Sequence, residues 1–468
     1  MTRSLEQWRV DLGGQWHQAA AAAATVTGVS TDTRTLTRGQ LFLALRGPRF
    51  NGAEFVAAAA TAGAVAAVVD ASTVAAAASA GLPLIVVADV LAALQRAALA
   101  HRERFAGTVI AVAGSNGKTT VKEMLAGILA ERGATMATAG NLNNHIGVPL
   151  TLLRLSAEHA HAVIEIGANH PGEVAQLVRL ARPQVAIVTN AGAEHLEGFG
   201  DIAGAARAEG ELFEGLAANA TAVINAEDDY VGLWRSQAAQ SHQVLFGFRP
   251  SADVRALDPR SQIDGQGFLS GFALIAPQGR AQIELRLAGM HNILNATGAA
   301  AAALAAGAQL EQVRTGLAKM RPVRGRLQFK RAASGAWLLD DSYNANPSSM
   351  RVAIDVLASV PGPKWFVAGA MGELGAASDA SHRELGEYAR RHGVTRLLGF
   401  GEAARLTVDS FGAGGQWYAD IESLQRELEK SLSADVRLLV KGSRSNRLER
   451  LVDYLTDGPN AAPQRKAG

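Results

Sequence analysis

Apolar residues along this chain fall into two rhythms: short unbroken runs, and longer stretches in which they return every third or fourth position. Val65–Val69 and Leu84–Val87, each introduced by glycine or proline, read as buried strands. Thr108–Ala113, Ala162–Ile166, Val185–Thr189, Trp337–Leu339, Trp365–Val367, Arg396–Leu398 and Val436–Val440 share that character. Helical spacing falls between them. Val121, Met124, Leu125, Ile128 and Leu129 define one helix face, with Gly133 placed to end it, and His382–Arg391 is a second helical pattern. The alternation predicts an α/β fold with mainly parallel sheets. Three domains are predicted, over 1–106, 107–320 and 321–458, followed by a polar tail over 459–468.

Composition narrows the picture. A chain of 468 residues is too long for one ordinary core, and 48% hydrophobic against 19% charged residues belongs to a globular protein. Much of the apolar content is alanine, and the runs Ala19–Ala24 and Ala299–Ala303 read as helix or helix-edge material. No stretch of roughly 18 strongly apolar residues occurs, so no membrane span is expected. Met1–Val10 carries Arg3, Glu6 and Arg9 and lacks the apolar core of a secretory leader. The absence of cysteine excludes disulfides and thiolate chemistry and fits a reducing, cytoplasmic setting. A net charge of +2, without a basic arm carrying interleaved aromatics, argues against nucleic acid as a partner. A monomer is expected, and no internal repeat is found.

Chemistry enters at Gly114-Ser115-Asn116-Gly117-Lys118-Thr119-Thr120, where a strand hands over to a helix. A glycine-rich turn at a helix N-terminus aims backbone N–H groups and the helix dipole at an anion. Lys118 would neutralise the β- and γ-phosphates of a nucleotide, and the Thr119 hydroxyl would ligate Mg²⁺. The general phosphate-loop pattern wants a glycine where this chain has Val112, so the strict pattern fails. A fortuitous Gly-Lys-Thr turn is the alternative, disfavoured by the flanking strand and helix.

The shorter loop resembles that of the muramyl ligase family, which also includes the folylpolyglutamate synthases. Other segments follow in the same order. Gly140–Pro149, with Asn141, Asn143 and Asn144, is similar to the family's asparagine-rich segment, and Glu165–Glu173 to its metal-carboxylate segment. Asn190–Glu197, with His195, resembles its metal-histidine segment, and His291–Ala296, with Asn292 and Asn295, its adenine-side helix. Asp340–Pro347 and Lys441–Ser445 resemble motifs of its C-terminal domain. The resemblance spans nearly the whole chain. It implies a UDP-sugar-binding α/β domain, a central mononucleotide-binding domain with a parallel sheet, and a Rossmann-like C-terminal domain. It implies ATP and Mg²⁺ as cofactors, with Glu165 and His195 on a second magnesium beside the one at Thr119. Arg326 would reach the nucleotide phosphates and Asp341 the ribose when the C-terminal domain closes.

Read without the resemblance, Glu165 stands near a strand's C-terminal end, where parallel sheets bind ligands, and a carboxylate with phosphates suits Mg²⁺. Surface decoration is the bland alternative for Glu165, a structural ring for His195, and helix capping for His291, Asn292 and Asn295. Family members commonly carry a lysine before a Leu-Phe or Ile-Phe pair, and carbamylation turns it into a carboxylate-like magnesium ligand. Here Arg207-Ala208-Glu209-Gly210-Glu211-Leu212-Phe213 places Glu209 at that position. Glu209 is expected to supply the charge directly, without carbon dioxide chemistry, with a shifted metal or a bridging water making up its shorter reach. A solvated helix glutamate is the alternative.

The first region, with Ser30, Thr31, Arg34 and Asn51, resembles the UDP-sugar domain, and its hydroxyl and guanidinium donors suit a pyrophosphate or uracil edge. Asn51-Gly52 is equally a plain turn, Asp32 with Arg34 equally a surface ion pair, and Ala53 stands where a histidine is expected. Asn344 and Asn346 are candidates for a dipeptide end, and Lys441 and Arg444 for its terminal carboxylate or an acyl phosphate. The segments 343–347 and 441–445 most resemble the family member that adds D-alanyl-D-alanine to UDP-N-acetylmuramoyl-tripeptide. The Asp-Asn-Pro-Arg motif of the sister adding a diamino acid is absent. The implied reaction phosphorylates the tripeptide carboxylate and joins it to the dipeptide amine, with Lys118, Glu165, His195, Glu209 and Arg326 as the catalytic set. The sister ligase, a kinase using the same loop, and a non-catalytic nucleotide-binding protein are the competing readings.

Overall fold

The computed structural model describes residues 3–18, 23–48 and 50–457 and is organised around three large sheets. Residues 19–22 of the first alanine run and the whole 459–468 tail lie outside the described residues. The N-terminal sheet has five strands, in the order Gln15–Trp16, Leu84–Val87, Ala66–Asp70, Gln40–Leu43, Gly28–Ser30, parallel apart from the first pair.

The central sheet has nine strands. Thr135–Ala137, His161–Glu165, Thr108–Ala113, Val185–Val188, Thr221–Asn225, His242–Gly247 and Val254–Asp264 lie side by side and parallel. Gly267–Ala276 and Gly279–Leu285 extend the last of them as an antiparallel meander. The C-terminal sheet of six strands runs Gln328–Arg331, Trp337–Asp341, Arg437–Lys441, Lys364–Gly369, Arg396–Phe400, Gly415–Tyr418, with only its first pair antiparallel. Every strand expected from an apolar run is present, its ends moved by a residue or two at most.

Burial explains the runs. Val109 to Ala113 are all 0% exposed, so both faces of that strand are covered and no polar alternation survives. The helix Gly289–Ala305 covers one face closely: a Cβ on Gly298 would meet Phe246 at 2.8 Å and Ile187 at 3.0 Å. The alanines Ala299–Ala303 are buried there, small enough for the helix to lie down on the strands. One expectation is corrected. The helix Lys118–Ala130 stops before Gly133, with Glu131 capping it in right-handed backbone. Its last turn tightens, Glu131 N–H reaching the Ile128 carbonyl and Arg132 N–H that of Leu129, so a left-handed glycine is not needed. The domains also interlock, since Phe268 of the central meander is buried in the C-terminal core with Leu339, Met350 and Phe366.

Candidate active site

The strands His161–Glu165, Thr108–Ala113 and Val185–Val188 are neighbours, and their C-terminal ends meet at the glycine turn. Gly114 and Gly117 are both left-handed, with φ of 119° and 85°, a backbone that excludes most side chains. A Cβ on Gly117 would also meet Asn295 Oδ1 at 2.7 Å. The turn is held from the next strand end. Ser115 N–H donates to the Asn190 carbonyl at 2.8 Å, Asn116 N–H to Asn190 Oδ1 at 3.1 Å, and Thr189 Oγ1 to the Asn116 carbonyl at 2.6 Å. Gly114 N–H donates to Glu209 Oε2 at 2.7 Å. The first helical bond runs from Val121 N–H to the Gly117 carbonyl at 2.9 Å. The donors left for a phosphate are therefore the N–H groups of Gly117 and of the helix's opening turn, Lys118 to Thr120.

Lys118 Nζ lies over the turn, donating to the carbonyls of Gly114 at 2.5 Å and Ser115 at 3.2 Å and pairing with Glu194 Oε2 at 3.2 Å. Glu194 was missed from the sequence, where its only signal is standing beside His195. Burial works against the charge on Lys118, but Glu194, Glu209 and Glu165 outweigh it and raise its pKa. Burial likewise opposes ionisation of Glu194, and Lys118 with His195 overcomes it, holding the carboxyl below its usual range. At Glu209, 3% exposed, burial wins over Lys118 and the pKa is pushed up to about 7. Burial lowers His195 too, but Glu194 and Glu373 outweigh it and raise the imidazole.

Glu165 is 2% exposed; its Oε1 accepts from Asn143 Nδ2 at 2.9 Å, while its Oε2 has no hydrogen-bond partner and lies 3.8 Å from Lys122 Nζ. An orphaned carboxylate oxygen beside a phosphate loop fits a magnesium ion. Among the described residues no three of His, Asp and Glu converge as a cage. That suits an ion which keeps its waters and shares phosphate oxygens. Thr119 Oγ1 accepts from Arg326 Nη2 at 3.0 Å, and the Arg326 guanidinium stacks 4.4 Å from the Tyr343 ring centre. The hydroxyl expected on magnesium and the arginine expected on phosphate are thus in contact across the domain boundary.

Asn346 Oδ1 caps the helix Pro347–Ser359, and its Nδ2 donates to Asn116 Oδ1 at 2.8 Å, while Asn116 Nδ2 donates to Ser348 Oγ at 3.1 Å. Lys441 pairs with Asp341 Oδ2 at 2.7 Å and donates to the Asn344 carbonyl at 2.8 Å; Asp341 Oδ1 accepts from Leu327 N–H at 3.0 Å. Arg444 pairs with Glu449 at 3.1 Å. Asn292 Nδ2 donates to the Ala288 carbonyl at 2.8 Å and Asn295 Nδ2 to Asn292 Oδ1 at 3.2 Å, one chain of bonds along the helix toward Gly117. Burial pushes His291 down to about 4, so its ring is neutral. Asn144 Oδ1 accepts from Ile146 and Gly147 N–H, at 3.1 and 2.9 Å, and the exposed Asn141 contributes its carbonyl to Asn143 N–H. In the N-terminal sheet Ser30 ends a strand, Thr31 follows it, and Ser30 Oγ accepts from Asp32 N–H at 3.2 Å. Arg34, 86% exposed along its side chain, forms the surface pair with Asp32, and Asn51 caps the short turn of helix Gly52–Phe55.

A lysine lodged over a glycine turn, with a second domain's arginine at its threonine, defines the class of nucleotide enzymes that move a terminal phosphoryl group. The Mur ligase family, catalytic domain; the Mur ligase middle domain; and the Mur ligase glutamate ligase domain match residues 25–102, 112–303 and 325–444. The chain belongs to the Mur ligase family and is an ATP-dependent ligase. It is 42% identical over 441 residues to the UDP-N-acetylmuramoyl-tripeptide--D-alanyl-D-alanine ligase of Escherichia coli (strain K12), covering 93% of this chain and 95% of that one. A crystal structure of MurF from Acinetobacter baumannii superposes with a TM-score of 0.87 at 34% identity, covering 98% and 99% of the two chains. The MurF ligase of Thermotoga maritima in complex with ADP does so with 0.79 at 26% identity, covering 92% and 96%. No helix among the described residues is long and apolar enough to cross a membrane.

Proposed function

We infer that this chain joins D-alanyl-D-alanine to UDP-N-acetylmuramoyl-tripeptide, cleaving ATP to ADP and phosphate and giving the UDP-muramoyl-pentapeptide. The observation that carries the reading is Lys118 over the glycine turn with Arg326 brought to Thr119 from the other domain; the relatives of that name support the substrate pair. A tripeptide carboxylate oxygen bonds to the γ-phosphorus as the bond to the ADP oxygen breaks. The dipeptide amine then adds to the acyl phosphate, and the tetrahedral adduct expels phosphate and loses the amine proton.

Lys118 and the first-turn N–H groups stabilise charge on the transferring oxygens. Arg326 adds its charge when the domains are together, and the Asn116–Asn346 contact helps shut out water that would hydrolyse the acyl phosphate. Magnesium would be held by Thr119, Glu165, His195 and Glu209, and would neutralise phosphate oxygens. His291, Asn292 and Asn295 are assigned to the adenine side, Asp341 to the ribose, and Ser30, Thr31, Arg34 and Asn51 to the UDP group. Asn141, Asn143, Asn144, Asn344, Asn346, Lys441 and Arg444 are assigned to the peptide substrates. Domain limits at 106/107 and 320/321 belong to the same reading. A monomer acting in the cytoplasm, where ATP and nucleotide-activated sugars are made, completes the reading.

Phosphate release is expected only with both the tripeptide and D-alanyl-D-alanine present. Release with the amine omitted, leaving a stable phosphorylated product, would establish a kinase in its place. No release with any pair would leave a binding protein.

Glu209 gives a second expectation. Wild-type turnover should be flat against added bicarbonate, and Glu209→Lys should acquire a bicarbonate requirement. Full activity of Glu209→Gln would remove this side chain from the mechanism. Stability offers a separate readout. The folded protein, free of ligands, keeps Glu209 protonated up to about pH 7, whereas an ordinary glutamate ionises near 4.5. Between those values the native state holds the extra proton, so stability falls as pH rises, by about 3 kcal/mol in all. Thermal melts from about pH 5 to about pH 8 should therefore show the wild type losing ground to Glu209→Gln.

A further inference from the structure

Three consecutive residues of the central domain, His195, Leu196 and Glu197, all meet the C-terminal domain. His195 Nδ1 lies 2.5 Å from Glu373 Oε2 in an ion-pair contact, and Glu197 Oε1 accepts from Gly375 N–H at 3.3 Å. Leu196 packs against the core that contains Met371 and Leu374. The loop they meet is anchored on both sides of Glu373. Met371 and Leu374 are 4% and 3% exposed, and Met371 N–H donates to His382 Nε2 at 3.0 Å. His382 is itself 0% exposed and its Nδ1 bonds the Ser378 carbonyl at 2.8 Å, which fixes a neutral ring with the proton on Nδ1. Between the anchors Glu373 turns outward in left-handed backbone, φ 61°, and His195 is left-handed too, φ 51°. Residues with side chains persist in that conformation when their surroundings over-determine it, and such positions cluster at clamps and switches.

We propose that Glu373 is a positioning residue: in the closed enzyme it takes the Nδ1–H of His195 and so aims Nε2 into the phosphate site, making the metal site complete only when the domains are together. The proposal rests on reading His195 as a metal ligand. Metal-bound histidines donate their other ring N–H to a carboxylate or carbonyl, which fixes tautomer and ring orientation. Here the carboxylate comes from a different domain. On the ring's far side His195 Nε2 lies 3.5 Å from Glu194 Oε1, the partner of Lys118, which places that nitrogen on the phosphate-loop side. As a plain ion pair the contact would count for little, because the Glu373 side chain is 62% exposed. Its effect is on where the ring points.

The test measures Mn²⁺ affinity by electron paramagnetic resonance in the presence of ADP, with ¹⁵N spectra of the His195 ring. Wild type, Glu373→Ala, Glu373→Gln and His195→Ala are compared. Glu373→Ala is expected to weaken Mn²⁺ by about 10- to 100-fold and to change the ring's ¹⁵N signature. Glu373→Gln should recover part of the loss, since its amide oxygen still accepts. On a His195→Ala background Glu373→Ala should add nothing, which a purely structural role would not produce. If His195→Ala weakens Mn²⁺ while Glu373→Ala does not, the positioning role is overturned and the ligand reading stands. If His195→Ala leaves Mn²⁺ unchanged, the ligand reading falls and the proposal with it.

Discussion

Lys118→Ala is expected to lower kcat by about a thousandfold or more in a protein that still folds. The ammonium lies over the glycine turn, held by two of its carbonyls, where it meets the transferring phosphate most directly. Its loss has a second consequence. Glu194, Glu209 and Glu165 all act to keep Lys118 charged, so its removal leaves three carboxylates facing a polyanionic substrate. Glu209, already pushed up to about 7, should be the first to take a proton and relieve the repulsion. Circular dichroism should show native helix content, and a phosphate-release assay should show turnover near background. Turnover at the wild-type rate would remove the mechanism.

Glu165→Ala should cost both activity and stability. Lys122 is 1% exposed and would lose one of its two carboxylate partners, keeping Glu123 at 3.0 Å and the Thr138 carbonyl at 2.7 Å. Breaking a buried pair typically costs about 3–5 kcal/mol, and the remaining partners place this site at the lower end, about 3 kcal/mol. Asn143 Nδ2 would lose its acceptor as well. Glu165→Gln separates the effects, because an amide oxygen can still accept from Asn143 while the charge is gone. It should fold with a smaller penalty in denaturant titrations yet need far more Mg²⁺ for half-maximal phosphate release. An unchanged Mg²⁺ requirement in Glu165→Gln would take Glu165 out of the metal site.

What the sequence disclosed follows from what is local. Strands such as Thr108–Ala113 were legible because burial of both faces removes polar residues altogether. The meander over 254–285 was not, since exposed Asp258, Gln262 and Glu284 interrupt its apolar positions. The phosphate loop was legible because its glycines, lysine and hydroxyl are contiguous. Glu194 was not, because it faces Lys118 across 76 residues and nothing in local spacing encodes that meeting. Lys122 falls beside the apolar face of its own helix and betrays its partner Glu165 only once two strands are paired. Asn346 and Lys441 stood out as motif members, but the reach of Asn346 to Asn116 depends on how the domains come together, and the ion pair of Lys441 with Asp341 on the pairing of two C-terminal strands.

Phe268 belongs in chain order to the central sheet, yet its ring is 6% exposed among C-terminal side chains. A fragment beginning at residue 321 would carry an open greasy socket, and one ending at 320 would wave the bare ring in water, so each half should clump unless its counterpart is supplied.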